Sequence, residues 1–519
     1  MQLRPVSRIG LLVCSAVLLS LSYSRALWWL PALVAFIPLL QVISRAPSWR
    51  SAFRDGFIFG CIFYALTLYW LCYVASWWAI FVFCYCAVYT AVFALLVRVL
   101  VFRPYRSFYM FFIRSVFLIP LIGVCLEFVR AKLPVLGFAW ALLGYSQATN
   151  HWLLALARFG GVYLLSAVVL GINAVLYMLF CVPGNGRTRK GKVVAGSIAG
   201  ALIVSMGVLA HASFPGQGDN GVCRIGVVQP NIPQQMKWEP QLKDLIVKKT
   251  GLLAELVARE HPDIIIFPEA AYPGNLSTEL DQSYLKEVSE RVHIPFIIGA
   301  PNVINPWTIY NSAFLITDGV IKQVYNKLRL VPFGEYIPFR RFFTFLGLDK
   351  VAYSMGVGDF SAGKKYTLFP LPGSSQTAGV LICFEDTISS LARTFCARGA
   401  ALLINITNDA WFEDTSAPYQ HLQASILRAV ENGVPVIRAA NTGVSAYISP
   451  EGVIRKKVMQ NGHETFVDGG FVCTIPLSKG QQRTVYQAGG YLFPRLCIVL
   501  LAIAVIYIRK GREKKIPTY

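Results

Sequence analysis

Along the first 212 residues, apolar runs alternate with short basic stretches, and a different rhythm takes over beyond them. Crossing a hydrocarbon core as helix takes about 20 apolar residues. Runs of that kind lie at about 8–24, 27–44, 57–77, 78–101, 113–130, 160–182 and 193–212, with one more at 491–508. They predict a polytopic α-helical membrane bundle of about eight transmembrane helices. The first run has the short charged leader of a signal peptide. The next apolar run follows almost at once and no small-residue cleavage site stands out, so it reads as an uncleaved helix. The stretch at 131–159, beginning KLPVLGFAWALLGYSQ, is apolar and aromatic but too broken to span. It reads as an interfacial or re-entrant segment, with a role in lipid entry as the alternative.

From Cys223 onward the runs shorten and become β-branched, bounded by Pro, Gly and Asn. CRIGVVQPN, DIIIFPEA, PFIIGAPN, NSAFLITDG, VIKQVYNK, GVLICFED, ALLINITND, VPVIRAAN and VSAYISPEG have strand length, and several are continuously apolar, as in strands covered on both faces. Helix-like stretches such as LKDLIVKKTGLLAELVARE and QHLQASILRAVENG separate some of them. The alternation predicts a layered α/β domain. Three regions follow: a bundle of seven spans over 1–212, an α/β domain over 213–490, and a last span with a basic tail over 491–519.

Composition agrees with a membrane protein: the 519 residues are 55% hydrophobic and 14% charged, with a mean hydropathy of +0.52. The net charge of +21 does not point to nucleic acid, because it is concentrated in loops between apolar runs and no basic-aromatic recognition module accompanies it. Arg4 and Arg8 precede the first span; Arg45, Arg50 and Arg54 follow the second; Arg98, Arg103 and Arg106 follow the fourth. Arg187, Arg189, Lys190 and Lys192 follow the sixth, and Arg509, Lys510, Arg512, Lys514 and Lys515 follow the last. The alternate short loops carry little beyond Arg25, Arg130 and Lys132. The positive-inside rule then predicts cytoplasmic termini and an extracytoplasmic 213–490 region. The 12 cysteines contain no CxxC pair of zinc spacing, and neither a metal nor an organic cofactor is signalled.

Three residues in the α/β region carry candidate chemistry. Glu269 ends DIIIFPEA, where α/β sheets place functional groups and where partial burial suits a general base; capping the next helix is the alternative. Lys327 follows VIKQVYN and precedes the unusual turn VPFGEYIP with its further acid, Glu335; a solvated edge lysine is the alternative. Cys383 ends GVLIC just before a predicted helix, whose dipole, with an ammonium neighbour, favours thiolate; an inert buried cysteine is the alternative. His421 is available as a base, yet nothing in the sequence puts it beside the sulfur, which leaves Glu269.

Acid, amine and thiol come in that order, each at a strand end, in the contexts FPEA, NK…VPFGE and ICFED. In this the region resembles the nitrilase superfamily, whose members use a Glu-Lys-Cys triad in an α-β-β-α sandwich. With the spans on either side, the whole chain resembles the bacterial apolipoprotein N-acyltransferase family, as do VQPNIPQQMKW, ITNDAWFEDTSAPYQHLQ and VIRAANTGVSAYISPEG. The resemblance implies an inner-membrane enzyme with its catalytic domain on the periplasmic side, acting as a monomer without cofactor. Its acyl donor would be a membrane phospholipid and its acceptor a diacylglyceryl apolipoprotein. It further implies Glu269 as base, Lys327 as oxyanion donor and Cys383 as nucleophile, with Glu335, Trp238, Glu385 and Trp411 in supporting or substrate-binding roles. Two positions depart from the family's pattern: Glu413 stands where a Gly follows the Trp-Phe pair, and Phe384 where Tyr adjoins the nucleophile. A membrane-tethered carbon–nitrogen hydrolase and a non-catalytic membrane scaffold are the rival readings.

Overall fold

A computed structural model describes residues 4–102, 108–182, 186–212, 221–276, 278–345, 359–477 and 483–513. Arg103, Arg106, Lys514 and Lys515 of the basic loops lie outside these residues. The chain divides into two compact units, Met1–Ser213 with Thr484–Tyr519, and Phe214–Arg483.

In the first unit, four described helical segments are long and apolar enough to cross a membrane: Leu71–Leu100, Phe108–Lys132, Ala157–Phe180 and Gly490–Lys510. Pro5–Leu21 and Leu30–Ser44 are apolar but shorter. The run read as one span over 57–77 is divided differently. A helix covers Trp49–Thr67, starting where the Ser48 hydroxyl accepts from the Ser51 amide, and Ser76 takes a positive φ of 50° before the helix Ala79–Leu100. Polar Arg50, Arg54 and Asp55 are thus helical, which an apolar window cannot register.

That helix touches Ala79–Leu100 through a Gly-x-x-x-Gly face. A Cβ on Gly56 would come within 2.5 Å of the Thr90 carbonyl oxygen, and one on Gly60 within 2.1 Å of its hydroxyl. The Thr90 hydroxyl donates to the Gly56 carbonyl at 2.9 Å, a side-chain bond across the close approach of the two helices.

The broken stretch after Lys132 is buried between Ala139 and Ala148, and side chains satisfy much of its backbone. Arg130 donates to the carbonyls of Trp140 and Ala141 at 3.0 and 3.2 Å, and the Tyr23 hydroxyl donates to that of Leu142 at 2.9 Å. The Leu143 amide donates to Glu127 at 2.6 Å and the Gly144 amide to Ser166 at 2.9 Å. Non-helical backbone inside an apolar bundle persists only when its polar groups are paired in this way.

The second unit is built on two six-stranded sheets. Its strands are β1 (Val222–Gln229), β2 (Ile264–Ile266), β3 (Phe296–Asn305), β4 (Thr308–Thr317), β5 (Val320–Asn326), β6 (Leu368–Pro370), β7 (Thr377–Ile382), β8 (Ala400–Thr407), β9 (Val436–Ala440), β10 (Ala446–Ile448), β11 (Ile454–Lys457) and β12 (Gly469–Pro476). One sheet runs β12-β1-β2-β3-β4-β5 and the other β11-β10-β9-β8-β7-β6. β1–β2–β3 and β7–β8–β9 are parallel, and the remaining pairs antiparallel. Helices Lys243–Ala258 and Glu279–Val292 close one face of the first sheet over a core that includes Val228, Ile265, Phe267, Phe296 and Phe314. Ser389–Ala397 and Ala417–Asn432 pack on the second. The layers form an α/β domain with helices against both sheets. β2, β8 and β9 are buried along their whole length, which is why their sequences do not alternate apolar with polar positions; Asn405 on β8 and Arg438 on β9 are buried with the rest.

Candidate active site

Three strand ends converge. β2 passes through Phe267 and Pro268 to Glu269, β5 ends one residue before Lys327, and β7 ends one residue before Cys383. Lys327 is 1% exposed, which removes the solvated-edge reading. Its Nζ lies 2.9 Å from Glu335 Oε1 and 3.6 Å from Glu269 Oε1. Asn311, on β4, bridges the two acids: its Nδ2 donates to Glu269 Oε1 at 2.7 Å and to Glu335 Oε1 at 2.8 Å. The other Glu269 oxygen accepts from the Asn408 amide at 2.8 Å, and Glu335 Oε2 from the Val331 amide at 2.8 Å. Burial works against the Lys327 charge, but Glu335, Glu269 and the Cys383 sulfur outweigh it and raise the ammonium above its ordinary range.

Cys383 takes a φ of 52°, a left-handed conformation that turns the chain sharply out of β7 into the short 3-10 turn Cys383–Thr387. The α-helix begins only at Ser389, so no helix dipole acts directly at the sulfur. Burial first, and then the Glu269 charge, push the thiol well above its usual value, against Lys327 and the Thr407 hydroxyl. The dipole-favoured thiolate expected from the sequence therefore has no helix behind it, and burial with the Glu269 charge favours the neutral thiol.

Glu385 is fully buried, and protein donors occupy both its oxygens. Oε1 accepts from the Leu328 and Arg329 amides at 2.7 and 3.0 Å, Oε2 from the Ile382 amide at 2.9 Å, and the Tyr325 hydroxyl reaches both. It staples the Lys327 segment to the cysteine turn, a supporting role that leaves little acceptor capacity for substrate. Burial pushes its carboxyl up to about 7, while the bonds from Ile382 and Arg329 and the Lys327 charge pull the other way. Trp238 and Trp411 are 49% and 47% exposed, so neither is core packing. Their loops are joined by Gln235 donating to Glu413 at 3.2 Å. Glu413 itself has φ 50° and ψ −167°, a conformation that glycine adopts freely and a side chain resists.

Gly299 on β3 makes room for the acid. A Cβ there would lie 2.6 Å from the Pro268 oxygen and 2.7 Å from the Glu269 Cα. Gly299→Ala is expected to displace Glu269 and lower any turnover that depends on it about 10²-fold, since ångström-scale misplacement costs that much. Steady-state rates on folded protein test this, and a native rate would refute it.

Behind the cysteine lies a buried cluster that the sequence did not reveal. His421 Nδ1 lies 2.9 Å from Asp409 Oδ1, and its Nε2 lies 2.8 Å from Asp386 Oδ1 and 3.2 Å from the Cys383 carbonyl oxygen. Arg438 donates to Asp409 at 2.7 Å and to Asn405 at 2.7 Å, and Asn405 donates to the Cys383 carbonyl at 3.1 Å. Burial and Arg438 lower the imidazolium's proton affinity, but Asp386 and Asp409 prevail and push His421 up to about 9. An unfolded imidazole titrates near 6.5, so the stabilisation is complete below that and lost as pH rises through about 9. It is worth roughly 3 kcal/mol over that window. Thermal unfolding from pH 6.5 to 9.5 should show a falling midpoint that His421→Gln largely abolishes; an unchanged slope would exclude this origin.

Several of these residues give no functional signal in the sequence: Asn311 looks like a polar break in an apolar strand, and Asp386, Asp409 and Arg438 like ordinary charges. Among the described residues no cluster of His, Cys, Asp and Glu is arranged to hold a metal ion.

The family description "apolipoprotein N-acyltransferase N-terminal domain" matches residues 15–175, and "carbon-nitrogen hydrolase" matches residues 224–468. The apolipoprotein N-acyltransferase of Geobacter metallireducens is 34% identical over 520 residues, covering 96% of this chain and 95% of its own. That of Aquifex aeolicus is 31% identical over 66% of this chain and 73% of its own, and that of Rickettsia bellii 29% identical over 94% of each. Among solved structures, a nitrilase-superfamily amidase from Nesterenkonia AN1 superposes with a TM-score of 0.37 at 20% identity, covering 51% of this chain and 93% of that one.

Proposed function

Because this chain belongs to the apolipoprotein N-acyltransferase family, we propose that it transfers a fatty acyl chain from a membrane phospholipid to the N-terminal α-amine of a diacylglyceryl-cysteine lipoprotein. The convergence of Glu269, Lys327 and the Cys383 turn at three strand ends is the observation that most supports the route. Glu269 takes the thiol proton as Sγ attacks the ester carbonyl, and Lys327 stabilises the tetrahedral oxyanion. Collapse breaks the ester C–O bond, and Glu269 returns the proton to the departing glycerol oxygen, leaving a thioester on Cys383. The lipoprotein amine then attacks that carbonyl, gives a proton to Glu269, and the C–S bond breaks as the thiol is reprotonated. The products are an amide and the starting enzyme. Acid, amine and thiol come from one chain, which supports a monomer as the working unit.

Glu335 orients Lys327 in this scheme. Half-exposed Trp238 and Trp411 face the lipid chains, and exposed Phe339 and Phe345 support a lid in the segment YIPFRRFFTFLGL from Tyr336. The lid sequence continues past residue 345, outside the described residues. Keeping the acyl chain in lipid matters because exposing it costs about 0.8 kcal/mol per methylene. Eight spans with cytoplasmic termini and a periplasmic catalytic unit complete the reading. They are supported by the basic loops and by the helices Trp49–Thr67 and Gly186–Ala212, which add to the long and short apolar ones.

The carbon-nitrogen hydrolase match over 224–468 favours a second reading, in which water resolves the intermediate. Full-length enzyme in phospholipid micelles, given a diacylglyceryl-cysteine peptide, decides between them. The expected result is an N-acylated peptide with little free fatty acid, and an acyl-enzyme that persists until the peptide is added. Rapid fatty-acid release without peptide would support the hydrolase.

A further inference from the structure

We propose that Lys237 is a positioning residue for the base: its buried ammonium, seated on the Glu269 carbonyl, fixes that main chain and places a positive charge beside the carboxylate. The inference rests on the reading of Glu269 as the proton acceptor. Lys237 is 1% exposed, and a buried ammonium is unfavourable unless something compensates it. Its Nζ donates to the Glu269 carbonyl oxygen at 3.3 Å, and among the described residues it forms no ion pair within 4.0 Å. Its loop is fastened just ahead of it: the Ile232 amide donates to Asn441 at 2.9 Å, and Asn408 donates to Gln234 at 2.7 Å. The ammonium is therefore placed by the fold rather than left to wander.

What it holds is a demanding stretch of chain. Ala270, directly after Glu269, has a φ of 47°, and Gly299 is needed for β3 to pass this turn. A donor on the Glu269 carbonyl steadies the peptide from which the carboxylate is aimed. Charge gives the second half of the argument. Glu269 and Glu335 face a single ammonium, Lys327, beside the Cys383 thiol and the Asp409 carboxylate beyond it. Lys237 supplies another positive charge next to Glu269, offsetting the excess of negative charge there. Burial lowers Lys237 to about 8 against the opposing pull of Glu269, so this charge is present at neutral pH and fades in the alkaline range.

The test is the pH dependence of acyl-enzyme formation, followed by intact mass with the protein in detergent micelles containing dipalmitoyl phospholipid from pH 5 to 9. Removing the positive charge makes Glu269 easier to protonate, so the acid limb should move up by about one pH unit in both Lys237→Met and Lys237→Gln. Lys237→Arg should return the midpoint towards the native one. A lower rate with an unmoved midpoint in both neutral variants would mark Lys237 as packing only and overturn the proposal. Cys383→Ala, run in parallel, separates the two levels: an adduct surviving there removes the reading of the triad itself, whereas a Cys383-dependent adduct with an unmoved midpoint removes only Lys237.

Discussion

Cys383→Ala should lower acyl transfer by at least about 10⁴-fold, because the loss of a covalent nucleophile leaves only substrate binding and oxyanion stabilisation. The substitution removes little volume, and the neighbouring hydrogen bonds to the Cys383 carbonyl come from Asn405 and His421, which a side-chain change at the sulfur leaves in place. The turn should therefore survive. Its φ of 52° is as demanding for Ala as for Cys, so no relief of strain complicates the comparison. Thermal unfolding within a few degrees of native, together with absent turnover and absent acyl adduct, is the expected pattern. Cys383→Ser keeps an oxygen nucleophile but a far less acidic one, and should also be severely impaired. Acyl transfer near the native rate in the Ala variant, measured with phospholipid and diacylglyceryl peptide, would mean that another group carries the acyl chain.

Lys327→Met is the second severe case, and it acts in two ways. Losing a single oxyanion donor costs about 10²–10³ in turnover. Here the same ammonium also separates two acids, with Glu335 Oε1 at 2.9 Å and Glu269 Oε1 at 3.6 Å, and Asn311 alone would remain between them. Breaking a buried ion pair by removing one partner costs about 3–5 kcal/mol. One of the carboxylates should then hold a proton at neutral pH, which disables Glu269 as the base on a fraction of molecules. Turnover is expected to fall by more than about 10³-fold, with a clear loss of thermal stability. Lys327→Met combined with Glu335→Gln removes the excess negative charge. It should recover much of the stability but not the turnover, and a double variant as inactive and as unstable as the single would argue against the charge-balance account.

The residues at strand ends were legible because the strands before them are continuous apolar runs: III before Phe267-Pro268-Glu269 and GVLI before Cys383 mark buried parallel strands, and groups just beyond such strands face a crevice. Legibility ends where a residue's environment is made by distant chain. The helix Ala417–Asn432 reads as amphipathic, with His421, Ser425, Arg428 and Glu431 as its wet side, yet all four are buried. The charges that make this tolerable, Asp386, Asp409 and Arg438, come from other elements and carry no local mark. Lys237 escapes notice for the same reason. Strand β6 ends on Pro370, β11 is Ile454 followed by Arg455, Lys456 and Lys457, and β12 begins with two glycines, so none presents the β-branched apolar run that marked β2. In the helical unit the hydropathy windows found the apolar centres but not the ends, since Ser48 begins a helix whose first turns carry Arg50, Arg54 and Asp55.

The central claim is that Cys383 holds the transferred acyl chain as a thioester. Peptide-resolved mass spectrometry of the full-length chain, incubated with phospholipid and no acceptor, addresses it directly. The account predicts one fatty-acyl group on the peptide containing Cys383, released by neutral hydroxylamine and lost on addition of diacylglyceryl-cysteine peptide. An acyl group on any other residue, or sustained transfer with the Cys383 peptide never modified, would contradict it.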